Sequence, residues 1–130
     1  MMRETLFPLT QVQRSRYRKP GQSSANDLTR LILRWARSRG YFASRINNVG
    51  IYDSKTGRYR KSHTKQGFPD IVIIGPFGRF YGIEVKVGRD VLSDAQIRCA
   101  KEIRAAGGEY VVARSVNDVN KAMTVDCKQQ

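Results

Sequence analysis

Three features of the sequence predict an α/β fold: a mixed central sheet that contains an antiparallel hairpin and is flanked by helices. The apolar run Ile71-Val72-Ile73-Ile74 is followed by the turn residues Gly75-Pro76-Phe77-Gly78 and then by an alternating stretch from Tyr81 to Val87. That order describes two antiparallel strands joined by a tight turn. A helix signature lies between Tyr81–Val87 and a further strand pattern, Glu109 to Arg114, and a strand–helix–strand order implies a right-handed crossover and a partly parallel sheet. An amphipathic helix earlier in the chain supplies one more apolar face.

Taken in order, residues 1–22 are mixed and basic (Arg3, Arg14, Arg16, Arg18, Lys19) and close on Pro20-Gly21, which suits a flexible N-terminal arm. A single domain is expected over 23–123. Ser23, Ser24 and Asn26 offer N-caps for its first helix, which carries Leu28, Leu31, Ile32, Trp35 and Ala36 at helical spacing and stops at Gly40. Arg30, Arg34 and Arg37 fall on the other side. Tyr41 to Val49 alternates as a strand. Gly50 to Gln66 fits an exposed loop or irregular hairpin around Gly57. In Tyr81 to Val87, the residues Tyr81, Ile83, Val85 and Val87 point one way, and Gly82, Glu84 and Lys86 the other.

After the loop Gly88–Leu92, Ser93-Asp94-Ala95-Gln96 forms a capping box. The helix it opens runs to about Ala106 and ends at Gly107-Gly108, with Ile97, Ala100, Ile103 and Ala106 as its buried stripe. A short last helix is expected from Ser115 to Met123, with 124–130 as a C-terminal tail.

The 130 residues are 40% hydrophobic, enough for one core. No apolar run reaches the roughly 20 residues of a membrane span, and no secretory h-region is present. Cys99 and Cys127 are too few for a disulfide scaffold, and with one histidine, His63, they make no metal-type cluster; a cytoplasmic setting is expected. Lysine and arginine total 24 against 11 acids, a net charge of +13. A surplus of this size in so small a domain fits a polyanionic partner, most often nucleic acid. Arg45 and Asn47 on their strand, and Lys55, Arg58, Arg60, Lys61 and Lys65 in the following loop, are the candidate phosphate contacts.

The chemistry-bearing residues are Asp70, Glu84 and Lys86. Asp70 stands at the entry to one strand of the hairpin, and Glu84 and Lys86 share a face of the other. Two converging carboxylates repel unless a cation lies between them, and Mg²⁺ or Mn²⁺ is the oxygen-seeking occupant. The backbone carbonyl of Val85 can supply a third oxygen. Such an ion polarises a phosphate and activates a water. Lys86 stands beside it, to hydrogen-bond the attacking water, to stabilise developing charge, or to act as base. A plain surface ion pair between Glu84 and Lys86 is the alternative, worth about 0–1 kcal/mol.

Gly67-Phe68-Pro69-Asp70, Ile83-Glu84-Val85-Lys86, Leu92-Ser93-Asp94-Ala95-Gln96, and Ala106-Gly107-Gly108 leading into Tyr110-Val111-Val112 together resemble the VRR-NUC branch of the PD-(D/E)XK nucleases. The resemblance runs from about Ser24 to Val119. It implies a restriction-endonuclease-like sheet and a Mg²⁺- or Mn²⁺-dependent DNA endonuclease (a phosphodiester hydrolase). Such domains often stand alone in phages and mobile elements. The substrates it suggests are branched or junction DNA. By motif match, Asp70 and Glu84 would bind the metal, Lys86 would assist the water and Gln96 would support the site. Gln96 also has a full explanation as a capping residue. The family usually adds a glutamate near the start of the first helix as a further metal-site acid; here Asp27 is the nearest acid in that element and the candidate to join the metal site, through a water, although the helix macrodipole already accounts for an aspartate there. Domains of this size commonly pair, so a homodimer is an expectation too. The alternative function is a non-catalytic nucleic-acid-binding module on the same fold.

Overall fold

The computed structural model describes residues 24–47 and 50–128. The expected N-terminal arm, the Asn48-Val49 end of the strand from Tyr41, and residues 129–130 of the expected tail lie outside the described residues. Helix α1 spans Ala25–Ser38 and is followed by strands β1 (Phe42–Arg45), β2 (Ile51–Asp53), β3 (Arg58–Arg60), β4 (Ile71–Ile74) and β5 (Phe80–Val85). Helix α2 (Asp94–Ala105), strand β6 (Glu109–Ala113) and helix α3 (Val116–Lys128) complete the order.

The main sheet has the strand order β1-β4-β5-β6. β1 pairs antiparallel with β4, β4 antiparallel with β5, and β5 parallel with β6. The fold is therefore the mixed α/β sheet with an internal hairpin that the sequence predicts. β2 and β3 form a separate two-stranded antiparallel sheet, the hairpin form of the Gly50–Gln66 segment.

One face of the main sheet carries Ala43, Ile71, Ile73, Tyr81, Ile83, Val85, Val111 and Ala113. Leu28, Ile32 and Ala36 of α1 and Val119 and Met123 of α3 pack onto it. Ile32, Ile71, Ile73 and Ile83 have no exposed surface, and burial at this level is worth roughly 1.5–3 kcal/mol for each such side chain. The opposite face carries Gly82, Glu84 and Tyr110 and is covered by α2.

Two apolar stripes differ from the sequence expectation. In α1, Leu31 is 47% exposed, because it lies at the margin of a stripe centred on Leu28, Ile32 and Ala36. In α2, Ile97 is 41% exposed, while Cys99 and Ala100 are buried. The capping residue Gln96 points at the sheet, so the buried stripe turns one residue, to Gln96, Cys99, Ala100 and Ile103. Helix α3 continues to Lys128, past the Met123 end that the sequence suggested, and the stretch contains no glycine or proline to stop it. No helix among the described residues is long and apolar enough to cross a membrane.

Candidate active site

The β4–β5 register pairs Ile71 with Ile83, and carried onward it sets Asp70 opposite Glu84 and Pro69 opposite Val85. Proline has no N–H, so Pro69 has nothing to give the Val85 carbonyl, and the ladder stops there. The Asp70 carboxylate takes over: its Oδ2 accepts from the Val85 N–H at 2.9 Å. On its other side the Asp70 carbonyl accepts from the Ile46 N–H at 2.8 Å. Successive residues of a strand point their main-chain groups to opposite neighbours. The Lys86 N–H bonds the Ala113 carbonyl of β6 at 3.0 Å, so the Val85 carbonyl faces the Asp70 side. Asp70, Glu84 and the Val85 carbonyl thus lie on neighbouring positions of the two strands where β4 begins.

Glu84 is the pivot. It is 4% exposed and is held by three side chains. The Gln96 Nε2 donates to its Oε1 at 2.6 Å, the Lys86 ammonium lies 3.5 Å from the same oxygen, and the Tyr110 hydroxyl donates to Oε2 at 3.4 Å. Burial, and then the neighbouring negative charge of Asp70, push the Glu84 carboxyl up to about 7 against the pull of Lys86. Burial and Glu84 raise the Tyr110 phenol as well, so it stays a neutral donor.

Gln96 unites its two expected roles. Its Oε1 accepts from the Ser93 N–H at 2.9 Å, and the Ser93 Oγ accepts from the Gln96 N–H at 3.2 Å, completing a capping box. The other end of the same amide reaches Glu84. Gly67 sets this approach: at φ +82° it passes so close to α2 that a Cβ would lie 2.2 Å from the Ala95 carbonyl oxygen. Its own carbonyl lies 3.5 Å from the Tyr110 hydroxyl.

Three residues at the site went unassigned in the sequence. Tyr110 entered as a strand residue and part of a motif, without a role, although its alternation against Val111 places it on the Glu84 face. Arg114 donates to the Gly88 and Asp90 carbonyls at 2.9 and 2.5 Å and so pins the loop that follows Lys86. Gly67 entered as part of a motif without a role.

Asp27 is engaged locally: it is the third residue of α1, its carboxylate accepts from the Ser24 N–H at 3.4 Å, and Ser24 Oγ caps it in return. Among the described residues, no group of three or more histidine, cysteine, aspartate or glutamate side chains is placed to hold a metal ion. The oxygen atoms that the sequence nominated for a divalent ion are those of Asp70, Glu84 and the Val85 carbonyl, hard donors in their chemistry. The Glu84 carboxyl is raised first by burial and then by the charge of Asp70, and a cation between the two carboxylates would offset the second of these.

The candidate phosphate contacts divide. Arg45 is exposed, lies next to the strand end at Asp70, and donates to Asn26 Oδ1 at 3.0 Å; Asn47 is exposed two residues on. Lys55, Arg58, Arg60 and Lys61 are exposed on or beside the small hairpin, with Arg60 at 4.0 Å from Asp53. Lys65 is ion-paired and hydrogen-bonded to Glu102 of α2, which raises its ammonium. This exposed pair links the loop to the helix. His63 is exposed.

A family model for the VRR-NUC domain matches residues 23–117. A solved VRR-NUC domain structure aligns with a TM-score of 0.55 at 20% identity, covering 77% of this chain and 94% of that one, a likeness of fold. No curated protein matches the chain.

Proposed function

Because the chain belongs to the VRR-NUC domain family, whose members are nuclease-type domains, we propose that it is a metal-dependent DNA endonuclease that hydrolyses phosphodiester bonds. The observation that carries this reading is the convergence of Asp70, Glu84, Lys86 and Gln96 at the point where β4 gives way beside Pro69. Asp70, Glu84 and the Val85 carbonyl would hold a Mg²⁺ or Mn²⁺ ion, which supplies polarisation of the phosphate and activation of water. The chain's own contribution is arrangement. The Val85 N–H fixes one Asp70 oxygen. Gln96 and Tyr110 fix both oxygens of Glu84 and leave no rotamer search at the moment of reaction. Lys86, largely buried beside Glu84, presents its ammonium to charge developing on the phosphate oxygens.

Branched DNA is the substrate class we favour, with a homodimer presenting two sites to two strands. The test incubates the protein with supercoiled plasmid, a flap and a four-way junction, in Mn²⁺, Mg²⁺ or EDTA. Cutting that needs metal and disappears in both Asp70→Ala and Lys86→Ala is the expected result. Binding that persists with no cutting under any metal would instead assign the chain to the alternative, a nucleic-acid-binding module that lacks catalysis.

A further inference from the structure

The β2–β3 hairpin is a sheet of its own, and within it Tyr52 stands directly opposite Tyr59. The flanking pairs are Ile51 with Arg60 and Asp53 with Arg58. Alternation therefore puts both tyrosines on one face of the ribbon and both arginines on the other. The tyrosine rings touch, with centroids 5.1 Å apart and planes at 56°, and a cross-strand aromatic pair helps hold a ribbon that would be marginal alone. Most of their surface is nevertheless uncovered: Tyr52 is 55% exposed and Tyr59 75%. A cluster of large exposed rings on a projecting element marks an interaction site.

Tyr59 also edges an open groove of about 630 Å³ that passes Arg60, Lys61 and Lys65 and ends at Gly67. The Gly67 carbonyl is 3.5 Å from the Tyr110 hydroxyl, which bonds Glu84. Gly67 is thus shared between the far end of the groove and the surroundings of Glu84. Along it, Lys65 is taken up by Glu102 and Arg60 leans on Asp53, whereas Lys61 makes no ion pair among the described residues.

We propose that Tyr52 and Tyr59 form a stacking platform for unpaired bases of a nucleic-acid strand whose backbone follows this groove towards Glu84. The proposal rests on the nuclease reading for its setting and adds the substrate feature read there: a single-stranded segment beside the cut. Aromatic faces next to a positive groove are how single strands are held without sequence preference, because every base has a π-face and every linkage a charge. Bases stacked inside a duplex cannot offer a face to a tyrosine. Charge selects this occupant over a second copy of the chain. Lys55, Arg58, Arg60 and Lys61 stand against Asp53 alone on the hairpin, so two copies meeting at this element would set like charges against each other here.

The test measures fluorescence anisotropy in EDTA with a labelled oligothymidine and a labelled duplex of equal length. The double variant Tyr52→Val/Tyr59→Val keeps β-branched residues in the ribbon and removes both rings. It should weaken single-strand binding by at least about fivefold and change duplex binding by less than about twofold. Tyr52→Phe/Tyr59→Phe keeps the rings and should bind like the wild type. Tyr59→Val alone serves where the double variant loses structure by circular dichroism. Unchanged single-strand affinity in the valine variants, equal loss on both ligands, or loss in the phenylalanine variant would each overturn the platform. So would a wild-type protein that sediments as a dimer and a valine variant that sediments as a monomer, which would make this face a contact between copies. Since no divalent ion is present, a protein that fails to cut DNA can still pass this test, and one that cuts can still fail it.

Discussion

The side-chain amide of Gln96 closes the capping box of α2 with its oxygen, 2.9 Å from the Ser93 nitrogen, and holds the buried Glu84 carboxylate with its nitrogen at 2.6 Å. Helix start and site geometry are therefore one structure, and substitutions can separate them. Gln96→Glu keeps a good capping residue but sets a second carboxylate against Glu84. Gln96→Ala loses both contacts. Both variants should cut DNA about ten- to a hundredfold more slowly, with the larger loss of thermal stability in Gln96→Ala. Full activity in Gln96→Glu would show that the contact with Glu84 has no part in the reaction.

Glu84 sets the pH dependence of the metal-free protein. Its carboxyl stands at about 7 when folded, from an ordinary 4.5, through burial and then Asp70. Between these values the folded chain holds a proton that the unfolded chain has released, so stability falls as pH rises across that window and is level above it. The full span corresponds to about 3 kcal/mol. Urea unfolding in EDTA should show this decline, and Glu84→Gln should flatten it and be the more stable protein at pH above about 7. A Glu84→Gln variant with the wild-type pH profile would place the titration elsewhere.

Metal binding should couple to the same proton. A cation held by Asp70 and Glu84 favours the charged carboxylate, so Mn²⁺ should raise Tm more at alkaline pH than at acid pH, where it must displace a proton. At a hundred times Kd the gain is about 2.7 kcal/mol. Asp70→Asn should lose most of it. An equal Tm rise in Asp70→Asn would mean that the ion binds elsewhere.

Gly67 is the tightest approach around the site. Gly67→Ala must leave φ +82° or push the Cβ off the Ala95 carbonyl, and should cost about 2 kcal/mol or more, measured by chemical unfolding. Gly57→Ala, also at positive φ but with open space around it, is the control and should cost less.

The salt dependence of DNA binding tells the positive side chains apart. Arg58→Gln and Lys61→Gln should each lower the slope of log K against log salt by about 1, whereas Lys65→Gln, whose ammonium is spent on Glu102, should leave it nearly unchanged. A full unit lost at Lys65 would show that the pair with Glu102 opens on binding.

Much of this was legible in the chain because the relevant physics is local. Alternation put Glu84 and Lys86 on one face, Gly75–Gly78 folded Asp70 back towards them, and Ser93 with Gln96 announced a capped helix at the first turn where it begins. The last helix outran its expected end because a frayed tail and a helix without breakers look alike in sequence. The orientation of α2 was one residue off because periodicity counts apolar residues, and here a glutamine faces the sheet.

The sequence by itself determined the helices and strands of the main sheet, their order, and which residues share a face with Glu84 on its strand, all of which follow from periods of 2 and 3.6 residues, turns and caps. Only the tertiary structure decided what surrounds Glu84. Tyr110 reaches it from 26 residues away, Gly67 brings the α2 terminus alongside, and Lys65 is drawn to Glu102. These pairings depend on which surfaces the packed sheet brings together. The pKa of Glu84 depends on them in turn, because burial and neighbouring charge are properties of a place in the fold.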